Sequence, residues 1–141
     1  MSTKTFALIF GIAFLLIGAS GFIPGMVTPG HETADHLVVE QGYGLAMGLF
    51  PVNILHNLVH VLFGVWGLLA YRSLRGSIAY ARGVAIIYAV LAIMGFIPGL
   101  DTTFGLVPLY GNDIWLHVGL AIPAAYFGWV HRNNNAATER H

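Results

Sequence analysis

Four apolar stretches, at about 5–23, 53–71, 82–100 and 112–130, constrain this chain more than any other feature. Each is long enough to cross a bilayer core, which takes about 20 mostly apolar residues at about 1.5 Å of rise apiece. Composition agrees, because 57% of residues are hydrophobic and 9% are charged, whereas soluble globular chains carry about a quarter charged residues. With 141 residues the chain has room for a single domain. The expected fold class is an all-α integral membrane protein with four transmembrane helices.

The second constraint is an internal duplication. Gly21-Phe22-Ile23-Pro24-Gly25 recurs as Gly95-Phe96-Ile97-Pro98-Gly99, an offset of 95 − 21 = 74. Gly48-Leu49-Phe50-Pro51 pairs with Gly105-Leu106-Val107-Pro108 at an offset of 57, and His60 pairs with His117 at the same offset. The difference, 74 − 57 = 17, assigns an insertion to the first copy, Met26 to Met47. Repeat one is then about 5–71 and repeat two about 82–131, each a hairpin of helix, Phe-Ile-Pro-Gly turn, loop, Gly-Leu-x-Pro and helix. Prolines fall where a spanning helix must stop or start, and Pro-Gly suits a turn with positive φ at glycine. Two crossings per unit give both copies the same orientation, unlike inverted-repeat transporters.

Lys4 before an apolar run and the small residues Gly18-Ala19-Ser20 would also suit a cleaved signal peptide. Helix three as the counterpart of helix one favours a retained anchor instead. Gly11, Gly18, Gly21 and Gly25 match Ala85, Ala92, Gly95 and Gly99 at identical spacing. Helices in lipid associate by close packing, which small residues permit, so these faces are expected between helices, with Gly64, Gly67, Ala121, Ala124 and Gly128 serving helices two and four.

Lys4, Arg72, Arg75, Arg82, Arg132 and Arg140 occupy the N-terminus, the middle loop and the C-terminus, whereas Glu32, Asp35, Glu40, Asp101 and Asp113 fall on the other side. Excess Lys and Arg mark the cytoplasmic side. Both termini are therefore expected in the cytoplasm, with the duplicated turns and the insertion outside. Tyr71, Tyr80 and Trp129 are read as anchors at the inner boundary and Tyr43, Tyr110 and Trp115 at the outer one.

His56-Asn57-Leu58-Val59-His60 sets two imidazoles four apart on one helical face, and its counterpart is Asp113-Ile114-Trp115-Leu116-His117. His60 and His117 should lie at similar depth, roughly 10 Å inside their helices. Ionisable groups inside a span are costly and face the bundle interior or a wet cavity. The favoured reading is structural: interhelical hydrogen bonds, with Asp113 capping helix four and Asn57 joining the network. Its rival is a transition-metal site at His56, His60, Asp113 and His117, with a haem held by His60 and His117, or a pigment, as variants. Asn57 stands where a zinc protease needs glutamate, which removes hydrolytic zinc chemistry. A proton or ion path is the third reading, disfavoured because no relay step is visible below His60 and His117.

Other classes fall away. There is no cysteine, so disulfides, thiolate nucleophiles and cysteine-ligated clusters are excluded. Formal net charge is zero, without the basic footprint that holds nucleic acid. Ser20 lacks the spacing of a nucleophile elbow. In the insertion, Thr28-Pro29 is expected to open a short helix on the membrane surface with Ala34, Leu37 and Val38 on one side, and His31, Glu32, Asp35, His36 and Glu40 read as a solvated acidic face. Asn133 to His141 reads as a polar tail.

Asn53-x-x-His56-Asn57-Leu58-Val59-His60-x-x-x-Gly64, the Gly-Phe-Ile-Pro-Gly turns and Asp113-x-x-x-His117 together resemble an uncharacterised bacterial family of small four-helix membrane proteins, a domain of unknown function numbered forty-three eighty-three. The resemblance implies a multi-pass protein of the bacterial inner membrane and supplies no activity, cofactor or catalytic residue. The expectation is a non-enzymatic bilayer protein, a homo-oligomer or an accessory subunit of a larger membrane complex.

Overall fold

The computed structural model describes residues 1–30 and 36–131. His31, Glu32, Ala34, Asp35, Arg132, Arg140 and the tail Asn133 to His141 lie outside the described residues, so the expectations for them are not taken further. The elements in chain order are α1 (Thr3–Ser20), β1 (Val27–Thr28), β2 (Gly44–Ala46), β3 (Phe50–Val52), α2 (Ile54–Ala70), α3 (Leu74–Gly95) and α4 (Asn112–Ala125), which continues as a π-helical turn over Tyr126–Val130.

Local chemistry sets the helix starts. Ser2, Asn53 and Ser73 each accept a hydrogen bond from a backbone N–H in the first turn of the helix that follows, satisfying one of its orphan donors. Ser73 explains a departure from expectation: the third helix starts at Leu74, so Arg75 and Arg82 are helical rather than in the middle loop. Hydropathy marks what can lie in lipid, whereas caps mark where a helix begins. The earlier start also carries Tyr80 into the core, where it is fully buried and edge-on to Trp66 at 5.0 Å; it is not a boundary anchor. In the fourth helix Pro123 lacks the N–H that would continue the ladder, and the helix widens into the π turn directly afterwards. Arg82 Nε donates to the Gly128 carbonyl there at 2.8 Å.

Helix α1 packs mainly on α2, and α3 on α4. The first pair depends on glycine. A Cβ on Gly67 would stand 2.7 Å from the Gly11 Cα, and one on Gly11 would stand 2.9 Å from the Leu68 nitrogen. No side chain fits between those backbones, and the close approach multiplies dispersion contacts. Phe6, Phe14, Tyr80, Val84, Tyr88, Ala124 and Phe127 form the shared core.

Several geometric features recur at the offsets 74 and 57. Gly25 and Gly99 have φ of 87° and 86°, and Met47-Gly48 and Phe104-Gly105 all have positive φ. Gly21 lies against the Asn57 amide, while Gly95 lies against Ile114, the residue that replaces Asn57 at offset 57. The Phe14 ring lies 5.6 Å from that of His60, and Tyr88 lies 4.9 Å from His117.

At the end of the bundle that carries these turns, the strands form an antiparallel sheet in the order β1-β2-β3. Leu37 and Val38 are not helical in the described part of the insertion. The Val38 and Val39 N–H groups both donate to the Gly105 carbonyl, at 2.8 and 3.0 Å, which pins that backbone to the second hairpin and denies it a helical turn. Asn53 Nδ2 donates to Val39 O and Leu106 O at 2.8 and 2.7 Å, and the Tyr43 and Tyr110 hydroxyls meet at 2.6 Å. These bonds stitch the two hairpins into one cap.

Helices α1 and α3 are long and apolar enough to cross a membrane; α2 is apolar but shorter. Large apolar side chains point outward on every helix, among them Ile12, Leu62, Val90 and Ile122.

Candidate functional site

Beneath the cap, the inward faces of α2, α3 and α4 converge. His56 is the third residue of α2 and His60 lies one turn further on, while Asp113 and His117 take similar places on α4. All four are buried, with fractional exposure of 1% to 4%. Ring centroids of His56 and His60 are 4.6 Å apart, and those of His56 and His117 are 6.3 Å apart. Donor atoms of His56, Asp113 and His117 lie within 4.8 Å of one another. His60 stands beside this trio, against Phe14, and is not part of it.

Polar satisfaction at the site is poor. His56 Nδ1, His60 Nδ1, Asp113 Oδ2 and His117 Nδ1 are all buried without a hydrogen-bond partner among the described residues. His117 Nδ1 and Asp113 Oδ2 come to 3.5 Å without hydrogen-bond geometry. Asp113 does not cap α4 as expected. The N-cap is Gly111, at φ 67° and with no side-chain hydrogen bond, and Asp113 sits inside the first turn with its side chain buried. Buried polar groups in folded proteins nearly always find partners, and each orphan costs roughly 1–3 kcal/mol. A ligand that engages several of these atoms at once would remove that cost.

An imidazole–imidazole–carboxylate set favours a divalent transition metal. In a tetrahedron with bonds near 2.1 Å the ligand atoms are roughly 3.4 Å apart. The 3.5 Å between His117 Nδ1 and Asp113 Oδ2 already matches such an edge, and the remaining separations, up to 4.8 Å, close by small rotations of buried side chains. Three protein ligands would leave a position open. His56, His60 and His117 also line a cavity of about 190 Å³. That is near the volume of an engineered apolar cavity known to take benzene, about 150 Å³, and far too small for a porphyrin.

Tyr88 was not among the expected site residues, yet it is buried edge-on to His117 at 73°. The signal was present in the sequence, because offset 74 pairs Tyr88 with Phe14. Below the cluster, Tyr80 places a second hydroxyl within the core, so the interior is not free of proton-bearing groups as expected. Its oxygen has no hydrogen-bond partner among the described residues.

These features define a class: small helical proteins with helices of membrane-spanning length around a buried, polar, histidine-rich centre. Within it, the family model described as domain of unknown function DUF4383 matches residues 4–130, and the chain belongs to that family. No curated protein and no solved structure matches it.

Proposed function

We propose that this is a multi-pass protein of the bacterial inner membrane that binds a divalent transition-metal ion through His56, Asp113 and His117. The four helices span the bilayer as two tandem hairpins from a duplicated unit, with the cap outside and both termini in the cytoplasm. Support for the duplication comes from the positive-φ pairs and from the equivalent contacts Gly21–Asn57 and Gly95–Ile114. Support for four spans comes from the outward apolar residues on all four helices, since soluble monomers rarely expose contiguous apolar patches beyond a few hundred Å². Lys4, Arg72 and Arg75 gather at the end opposite the cap, as the excess of basic residues on cytoplasmic segments requires.

The observation that carries the metal reading is the orphaned trio. A purely structural cluster would spend its imidazoles and carboxylate on hydrogen bonds to one another, yet an atom of each is buried without a partner. Two histidines and one carboxylate with a free position is also the ligand set of non-haem iron(II) and of catalytic zinc sites. A haem bridging His60 and His117 is disfavoured by the cavity volume and by His56, which contacts both rings.

The test is elemental analysis of detergent-purified protein, before and after incubation with zinc or iron(II) under anaerobic conditions. About one equivalent of tightly held metal is expected in the wild type and none in the double variant His56→Ala, His117→Ala. A folded wild-type protein that takes up no metal overturns the reading.

A further inference from the structure

The cavity beside the trio meets the cap at Leu109 and at the half-buried Thr103 and Val107, and meets the α2–α3 side at Val59, Ile87 and Leu91. Leu109, which is buried, covers it from the cap. The one exposed lining residue is Ile87, at 39%, which with Val59 and Leu91 marks the α2–α3 side as the mouth. Leu62 and Val90, on the same two helices, are exposed as well. Leu91 lies four residues before the end of α3, so the mouth is about 6 Å below the end of that helix. With the helices spanning a bilayer, this depth meets acyl chains rather than water.

We propose that this cavity binds the ring of a lipid-dissolved quinone or quinol, which enters sideways between α2 and α3. Size supports a single ring, since about 190 Å³ is close to the benzene-binding example. The walls supply aromatic faces, because Phe63 and Tyr88 meet there edge to face at 5.4 Å, an arrangement into which a further flat ring packs well. His60 supplies the polar contact. It lines the cavity and has a nitrogen without a hydrogen-bond partner, and an imidazole can donate to a quinone carbonyl or accept from a quinol hydroxyl. Apolar walls with one or two converging polar groups are the usual make-up of a small-molecule site. The isoprenoid tail leaves through the mouth and stays in the bilayer. His56 and His117 of the trio line the same cavity, but the polar contact comes from His60, outside the trio, so the proposal rests on the membrane reading and not on occupancy of the metal site.

Binding of decylubiquinone to the full chain in lipid nanodiscs, measured by titration calorimetry, tests it. Saturable binding of one equivalent is expected, and it persists after chelator treatment, which separates this outcome from failure of the metal site. Ile87→Trp blocks the mouth at a partly exposed position and should weaken binding at least tenfold; His60→Leu, which keeps the site apolar, should weaken it by a similar factor. Val59→Phe serves if either variant fails to fold. Decanol, which has a tail and no ring, should show only non-saturating partition. Equal binding by wild type and Ile87→Trp, or competition by decanol as strong as that by the quinone, overturns the proposal.

Discussion

The two hairpins use the same positions differently. In the first, α1 and α2 approach through Gly11, Gly64 and Gly67, closely enough that an added Cβ would strike backbone. At the matching positions the second hairpin carries Ala85, Ala121 and Ala124, so side-chain methyl groups stand where the first hairpin has bare backbone. The second hairpin also contributes the carboxylate and the buried tyrosine where the first has His56 and Phe14. The glycine-packed hairpin thus acts as a frame, and its partner carries the side chains that differ in chemistry at the matching positions. Asn57 and Ile114 show the same trade: an amide packs on glycine in the frame, whereas an aliphatic chain packs on Gly95 in its partner.

The largest effect should come from forcing the frame apart. Gly11→Leu drives a branched chain into the α2 backbone, and no folded protein is expected in detergent by size-exclusion chromatography or circular dichroism. Ala85→Leu, its counterpart, should leave a folded protein destabilised by about 1–3 kcal/mol, the usual cost of overpacking. Equal tolerance at both positions would break the contrast between frame and partner.

The next effect concerns the pair at which the copies differ most. Asp113→Asn removes the negative oxygen and should weaken metal binding at least a hundredfold. Asp113→His makes the second pair resemble the first and should retain metal, with preference shifted toward ions that favour nitrogen ligands. Competition titrations with zinc and manganese(II) measure both changes. Unchanged selectivity in Asp113→His would mean that Asp113 does not touch the ion.

Much of this was legible in the sequence because periodicity and duplication are local or pairwise signals. The helices starting near Thr3, Ile54 and Asn112 fall within a few residues of the apolar stretches. Histidines spaced four apart on α2, and a histidine four after Asp113 on α4, had to share faces. What escaped were features set by contacts between distant segments. The non-helical course of Leu37 and Val38 depends on a carbonyl at Gly105, and nothing local announces it. Likewise, Asp113 as a first-turn carboxylate fits a cap by local rules, yet Gly111 takes that place. Tyr88 was hidden because hydropathy scores a buried tyrosine as ordinary helix, and only its pairing with Phe14 at offset 74 marks it out.

The smallest prediction tests how the two hairpins are joined at the cap. Asn53 caps α2 through its Oδ1, accepting from His56 N at 2.9 Å, and its Nδ2 reaches Val39 O and Leu106 O. One side chain thus orders the first hairpin's helix, the insertion and the second hairpin's loop. Its counterpart at offset 57 is Tyr110, and α4 begins without a side-chain cap; the second hairpin joins the first instead through Tyr110 and through Asn112 Nδ2, which donates to the Leu49 carbonyl at 3.2 Å. Asn53→Ala loses a cap worth about 1 kcal/mol and two further hydrogen bonds at about 1 kcal/mol each, so a loss of roughly 2–3 kcal/mol is expected in denaturant unfolding. Tyr110→Phe removes the hydroxyl that meets Tyr43 and leaves the cap of α2 in place, so it should cost less, about 1 kcal/mol. Asn53→Asp separates the two roles, because it keeps the capping oxygen and replaces the amide donor with a second acceptor facing two carbonyls. If the cap dominates, Asn53→Asp retains most of the stability; if the joint dominates, it falls at least as far as Asn53→Ala, and metal affinity falls with it because His56 follows directly on the capped turn.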